Sequence, residues 1–210
     1  MKINVEIVTG FLGAGKTTFI NSLLQESQVE GEKIIVFQLE NGIVQISQSK
    51  DKNYPVKCIK IKSIEEFEEN MVHEIEKYKP NRIIIEYNGT FSMDDFIKLL
   101  KEKKYKGYIR VSTIFFVADG MNFNEYLNNM GNFLVPFMKY ADMIVINNID
   151  SCKDKSLKEE LKKVKSINPK AFILKVNNKY ILNTKLKEAK VLDNGFLKKL
   201  KIKLMNSKKI

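Results

Sequence analysis

Arginine is scarce in this chain of 210 residues: Arg82 and Arg110 are the only two, although the formal net charge is +11. Arginine is the side chain preferred for bidentate contacts with phosphates and base edges. The lysines that supply the charge are instead scattered over every predicted helix. The charge therefore reads as solvated lysine faces and argues against nucleic acid as a partner. Cysteine is nearly as scarce. Cys58 and Cys152 form no C-x-x-C and are too few for a disulfide framework, so a reduced, cytoplasmic protein is expected. His73, the single histidine, stands in a predicted helix with no second histidine or cysteine close to it in sequence. It reads as a surface or packing residue rather than a metal ligand. No apolar run approaches the ~18 residues of a membrane helix, so no membrane span is expected. The first residues run straight into a predicted strand, which leaves no expected place for a cleavable leader. This length suits one α/β domain, or a domain with a short tail.

What is present is concentrated between Gly10 and Thr18. Gly10-Phe11-Leu12-Gly13-Ala14-Gly15-Lys16-Thr17-Thr18 fits G-x-x-x-x-G-K-[ST]. Ile3 to Val8 before it reads as a strand, and Phe19, Ile20, Leu23 and Leu24 after it recur at helical spacing. Gly10, Gly13 and Gly15 allow a sharp turn whose N–H groups approach phosphate oxygens, with Ala14 and Thr18 completing the cradle. The helix beginning near Lys16 adds unpaired N–H groups and the positive end of its dipole. Lys16, expected at an exposed position, would reach the β- and γ-phosphates, and the Thr17 hydroxyl would ligate Mg²⁺. Together these features define a nucleoside triphosphate site.

The rest of the chain alternates short apolar strands with amphipathic helices, which predicts an α/β P-loop NTPase fold with a mostly parallel central sheet and helices on both faces. Ile34 to Phe37 is a buried strand that runs into Gln38-Leu39-Glu40-Asn41-Gly42, a loop placed to face the γ-phosphate and Mg²⁺. Glu40 either orients water there or is a solvated loop carboxylate. Val56 to Ile61 reads as a partly exposed strand. Ser63 is a candidate N-cap with Glu66 as its capping-box partner, heading a helix whose face is Ile64, Phe67, Met71, Val72 and Ile75.

Arg82 to Glu86 is a buried strand, and Glu86-Tyr87-Asn88-Gly89 resembles the D/E-x-x-G that follows the second phosphate-sensing strand of GTPases. A carboxylate at a strand's C-terminal end belongs near the metal, since open α/β sheets bind ligands there. The Gly89 N–H could approach the γ-phosphate. Val111 to Val117 is a further strand, and a helix over residues 123–139 is expected to be interrupted around Gly131. The strand at Met143 leads into Asn147-Asn148-Ile149-Asp150, which resembles the guanine-reading N-K-x-D with Asn148 in place of lysine. An Asn/Asp turn is the alternative reading. Asn177, after the last strand, would lie near the base. Residues 1–180 are read as the GTPase domain and 181–210 as a lysine-rich tail. Its basic helix, around Phe196 to Leu204, suits a membrane surface or a calmodulin-like partner, but the leading expectation is that it packs Leu and Ile on the sheet and turns its lysines to water.

Taken together these stretches resemble the CobW/HypB/UreG family of P-loop GTPases, many of which deliver metals to enzymes or to cofactor assembly. The resemblance covers residues 3–176. It rests above all on Gly10 to Thr18, with support from Glu86 and Gly89, Val117-Ala118-Asp119, Ala141-Asp142, Asn147 and Asp150, and Ile167-Asn168-Pro169-x-Ala171. It implies GTP with Mg²⁺, an unidentified client protein and a nucleotide-dependent homodimer. Three departures accompany it. The C-x-C-C metal motif of the CobW branch corresponds here to Cys58-Ile59-Lys60-Ile61, with one cysteine kept. The loop at Gln38 to Gly42 matches N-E-x-G only loosely. The second domain of CobW proteins is not found in these residues.

The leading expectation is a slow Mg²⁺-dependent GTPase, a nucleotide-controlled regulator or accessory factor, with Lys16, Thr17, Glu86 and Glu40 as catalytic candidates. Thr17 and Glu86 would serve the magnesium. No arginine stands in a motif that marks it as a finger. The alternatives are a non-hydrolysing nucleotide-binding module, a metallochaperone GTPase, and an ATP-using kinase or synthetase-like enzyme.

Overall fold

Apolar runs such as Ile83-Ile84-Ile85 put side chains alternately on both faces of a strand, so both faces must be covered by helices. The chain folds in that way. A computed structural model describes residues 2–39, 44–49, 51, 53–87, 92–151, 154–177, 182–189 and 195–207. From the N-terminus run β1 (Ile3–Gly10), α1 (Lys16–Ser27), β2 (Ile34–Gln38), β3 (Val56–Lys60), α2 (Ile64–Tyr78) and β4 (Arg82–Glu86). There follow α3 (Met93–Leu100), a short α4 (Lys103–Lys106), β5 (Ile109–Asp119), α5 (Phe123–Tyr140) and β6 (Met143–Asn147). A 3-10 turn (Ile149–Ser151), α6 (Asp154–Ile167), β7 (Phe172–Lys175), α7 (Leu182–Glu188) and α8 (Phe196–Ser207) complete the fold. Among the described residues no helix is long and apolar enough to cross a membrane.

The seven strands form one sheet in the order β3-β2-β4-β1-β5-β6-β7. Every pairing between them is parallel, so the sheet is wholly rather than mostly parallel. Two cores result. Val5, Ile7, Ile83, Ile85 and Phe116 face Phe67 and Met71 of α2, Phe96 of α3, Phe137 of α5 and Val164 of α6. On the other face Val8, Ile84, Val117 and Val145 meet Phe19, Ile20 and Leu23 of α1 and Leu182 and Leu186 of α7. The central strand β1 lies between β4 and β5, so the loop that follows it emerges at the middle of the sheet's C-terminal edge.

Local signals act as the residues dictate, with small shifts. The Ser63 Oγ accepts the Glu66 N–H at 3.3 Å, while the Glu66 carboxylate reaches one residue further back and takes the Lys62 N–H at 2.7 Å. The break in α5 falls at Met130 (φ −132°), one residue before Gly131. Asn168 is a brace: its Nδ2 donates to the carbonyls of Met138 and Ala141 at 2.9 and 2.8 Å, and its Oδ1 accepts the Ala171 N–H at 3.0 Å. That one side chain joins the end of α5 to the turn before β7. The tail helix departs from expectation. In α8, Ile202, Met205 and Lys198 are buried, while Leu197, Leu200 and Leu204 face solvent.

Candidate nucleotide site

The loop between β1 and α1 is shaped by two glycines. A Cβ on Gly10 (φ 141°) would lie 2.0 Å from the Val117 carbonyl oxygen, so β5 excludes any side chain there. Gly15 (φ 93°) is left-handed and immediately precedes α1, which has no side-chain cap and no acidic residue in its first turn. Its leading N–H groups thus face the loop, the arrangement that binds an anion. The Lys16 Nζ donates to the carbonyls of Gly10 at 3.0 Å and Phe11 at 2.6 Å. Lys16 is therefore buried, 3% exposed, rather than standing in solvent, because the loop wraps over its stem. Phe11 is itself held against Tyr126 of α5, with ring centroids 4.1 Å apart.

Thr17, in the first turn of α1, donates its Oγ1 hydrogen to Glu86 Oε1 at 2.5 Å. Glu86 is fully buried at the C-terminal end of β4, aligned with Val8 of β1. Its other oxygen, Oε2, accepts from Gln38 Nε2 at 2.6 Å. The Gln38 Oε1 in turn accepts from the Cys58 thiol at 3.8 Å, so a polar chain runs from Thr17 through Glu86 and Gln38 to Cys58. Burial, and then the Glu86 charge, push the Cys58 thiol above its usual range, while Lys60 acts in the opposite sense. A hydroxyl and a carboxylate held together are hard oxygen donors of the kind that Mg²⁺ takes beside phosphate and water. These residues fit that ion.

At the same edge β6 ends in Asn147, whose Nδ2 donates to the Ala14 carbonyl at 3.0 Å. Its Oδ1 is buried with no hydrogen-bond partner among the described residues, a polar group beside the loop that suits a hydrogen-bonding ligand. Asn148 is left-handed (φ 57°), and its Nδ2 donates to Asp119 Oδ1 at 3.0 Å. The residue in the lysine's place is thereby tied to the end of β5. Asp150 is exposed on the 3-10 turn, and Asn177 is half-buried just after β7. The Ile149 N–H donates to the Val176 carbonyl at 3.2 Å and holds these two loops side by side.

Gly10, Gly13, Ala14, Gly15, Lys16, Thr17, Thr18, Glu86, Asn147, Asp150 and Asn177 thus share the sheet's C-terminal edge. Glu40 and Gly89 lie outside the described residues, as do Gly42, Cys152, Asn178 and the 180/181 boundary. Gln38 and Asp119 stand in stretches that the sequence marks, but their partners, Glu86 and Asn148, are not legible there. Gln38 sits in register with Glu86 across β2 and β4, which no spacing along the chain displays. A cavity of about 390 Å³ exists at the opposite edge. Two of the cations that line it are already matched: Arg82 pairs with Glu6 at 2.6 Å and Lys198 with Glu32 at 2.9 Å. The geometry favours the loop as the phosphate site.

A parallel sheet whose central strand opens through such a loop into an uncapped helix defines a P-loop nucleoside triphosphatase fold. Within that class, a model described as the CobW/HypB/UreG nucleotide-binding domain matches residues 4–175, and the chain belongs to this family of GTPases. Zinc-regulated GTPase metalloprotein activator 1 of Dictyostelium discoideum is 24% identical over 256 aligned positions, covering 95% of this chain and 52% of that protein. The chain thus spans about half the length of the curated relative it matches. Among solved structures, the Zn(II)-bound YjiA GTPase from E. coli superimposes with a TM-score of 0.64 at 22% identity, over 82% of this chain and 57% of that one. HypB from Helicobacter pylori in complex with nickel gives a TM-score of 0.53 at 13% identity, over 89% and 83%. Both likenesses are of fold.

Proposed function

We propose that this chain is a cytoplasmic, Mg²⁺-dependent GTPase of low intrinsic turnover whose nucleotide state controls a client protein. The observation that carries the proposal is the Thr17–Glu86 contact at the start of α1, which puts two oxygen donors beside a phosphate cradle. Gly10 to Thr18 would hold the phosphates, and Lys16 would neutralise charge developing on the γ-phosphoryl group. Thr17 and Glu86 would hold magnesium, which when bound would draw charge from the β- and γ-phosphate oxygens. Glu40 is proposed to orient water at the γ-phosphate, Gly89 to approach it through its N–H, and Asn147, Asp150 and Asn177 to contact the guanine.

The position of the arginines supports slow turnover. Arg82 opens β4 and Arg110 stands near the start of β5, both at the sheet edge opposite the loop. Arg82 is committed to Glu6 and Ser27, and Arg110 donates to Asn4 at 3.1 Å. Neither is placed to reach the γ-phosphate, so an arginine finger would come from outside these residues. Such a finger supplies about 10³–10⁵ in rate where it operates.

The client reading gains from the relatives, one of which is named a zinc-regulated metalloprotein activator. A metal-containing client, controlled through a nucleotide-dependent homodimer, is the form it takes here, with metal delivery as the alternative. Phosphate release from GTP by the purified chain, compared with Lys16→Ala, tests the proposal. Slow, magnesium-dependent release that the substitution abolishes is expected. Binding of GTP without release would leave a non-hydrolysing module, and equal use of ATP would favour a kinase-like enzyme.

A further inference from the structure

Helix α8 exposes a second apolar face. Phe196 and Leu197 are 77% and 78% exposed, and Leu200 and Leu204 are exposed as well. Steps of one, three and four residues place all four on one side of the helix. The opposite side is fixed to the body. Lys198 Nζ donates to the Ser27 carbonyl at 2.8 Å and pairs with Glu32, Ile202 and Met205 are buried, and Asn206 Nδ2 donates to the Gly31 carbonyl at 3.0 Å. Rolling the helix to hide its outer stripe would break all of these contacts. Among the described residues the stripe is left uncovered.

Charge indicates what covers it. At 100° per residue, Lys199 and Lys203 fall along one margin of the stripe and Lys201 along the other. α8 also lies at the sheet edge where every parallel strand begins, and the exposed Lys2, Lys33, Lys79, Lys106 and Lys170 each stand just ahead of a strand there. Glu6 and Glu32 at this edge are paired with Arg82 and Lys198, and the exposed Glu30, Glu76 and Asp142 there are outnumbered by the lysines. A second copy of the chain would bring like charge against like. Lysine is depleted from protein–protein interfaces. At a bilayer, by contrast, lysine stems lie along the apolar surface while their ammonium groups reach the headgroups.

We propose that α8 is an interfacial anchor that lays Phe196, Leu197, Leu200 and Leu204 into an anionic lipid surface. The nucleotide site, at the opposite edge of the sheet, then faces away from the bilayer. This inference stands independently of the GTPase proposal, since it uses neither the loop nor the bound nucleotide.

The test is co-sedimentation of the full chain with vesicles of phosphatidylcholine mixed with phosphatidylserine, and with phosphatidylcholine alone. The unmodified chain is expected to sediment with the anionic vesicles and to be released by salt. Lys199→Gln with Lys203→Gln should weaken binding by about thirty-fold, at roughly five-fold per lysine. Leu197→Ser with Leu200→Ser should weaken it by about a hundred-fold, at roughly ten-fold per buried leucine. All these side chains are exposed, and circular dichroism should show the fold unchanged. Absence from the anionic pellet would overturn the proposal. So would undiminished binding of the leucine variant, which would leave only general attraction of a basic protein. A leucine-dependent dimer in gel filtration would assign the face to a second copy, and capture of a soluble acidic amphipathic peptide without vesicle binding would assign it to a protein groove. Either result would overturn the lipid reading.

Discussion

Gln38 Nε2 donates to Glu86 Oε2 at 2.6 Å, and the pair joins the ends of β2 and β4 directly behind Thr17. Gln38 thereby leaves Glu86 Oε1 directed at the Thr17 hydroxyl. Replacing Gln38 with leucine keeps the volume and removes the donor. A hydrogen bond to a charged group contributes ~1.5–3 kcal/mol, so GTP turnover should fall by about ten-fold or more. Single-turnover phosphate release is the measurement. GTP affinity should change far less than the rate, because the loop and Lys16 are untouched.

The Cys58 thiol reports on the same carboxylate. Burial and the Glu86 charge both hold its pKa above the usual value, so at neutral pH it carries less thiolate than a free cysteine. Glu86→Gln removes the second cause. In a Cys152→Ser background, alkylation of Cys58 should be slow in the parent and faster in the Glu86→Gln variant at the same pH. Its pH profile should shift toward lower pH.

Nucleotide choice is expected to depend on Asp150. Guanine offers two donors that adenine cannot present, and losing their acceptor costs ~1–3 kcal/mol. Asp150→Ala should therefore erase a preference for GTP over ATP of about 5- to 150-fold. Calorimetric titration of both nucleotides checks this, and equal affinities in the parent chain would remove the basis for it. Asn148 is drawn to Asp119 and cannot cover the base as a lysine stem would, so a preference toward the low end is expected.

Zinc should not be retained tightly by the monomer. A tight site takes about four ligands, three of them from protein at the least. Among the described residues no group of three or more His, Cys, Asp and Glu gathers to hold a metal. Lys60 stands two residues from Cys58, and its charge repels a dication. Competition against a chelator of nanomolar affinity, with and without GTP, is the check. One equivalent of zinc retained would reveal ligands outside those described and raise the metal-delivery reading.

The loop and the strands around it are legible in the sequence because their signals are local. Glycines at fixed spacing, then Lys16-Thr17, then helical periodicity specify strand, turn and helix within 25 residues or so. The run Arg82 to Glu86 announces a buried strand with a carboxylate at its end. The partners of that carboxylate are not announced. Gln38 meets Glu86 only through the β2–β4 register, across an intervening strand and helix. Strand β5 begins at Ile109 because it pairs there with Ile3 of β1; its first half, Ile109-Arg110-Val111-Ser112-Thr113, is only half covered and lacks the apolar run that would announce it. For α8 the sequence offers apolar residues on two sides, and periodicity cannot say which side turns inward. Lys198 decides it, through a buried pair with Glu32 in the turn before β2.

The close approach of Gly10 to the Val117 carbonyl has a consequence in time as well as in space. β1 is flanked by β4 and β5, whose residues follow it by more than seventy positions. The phosphate cradle is therefore made before the strands that enclose it and is among the last segments to acquire its shape. Contacts of such long sequence separation form late, after the intervening loops have closed. Triphosphate affinity should accordingly appear in refolding only with the final, slowest phase, after the helices have formed. A nucleotide that binds at that moment selects chains whose sheet has closed, and so marks the completed molecule.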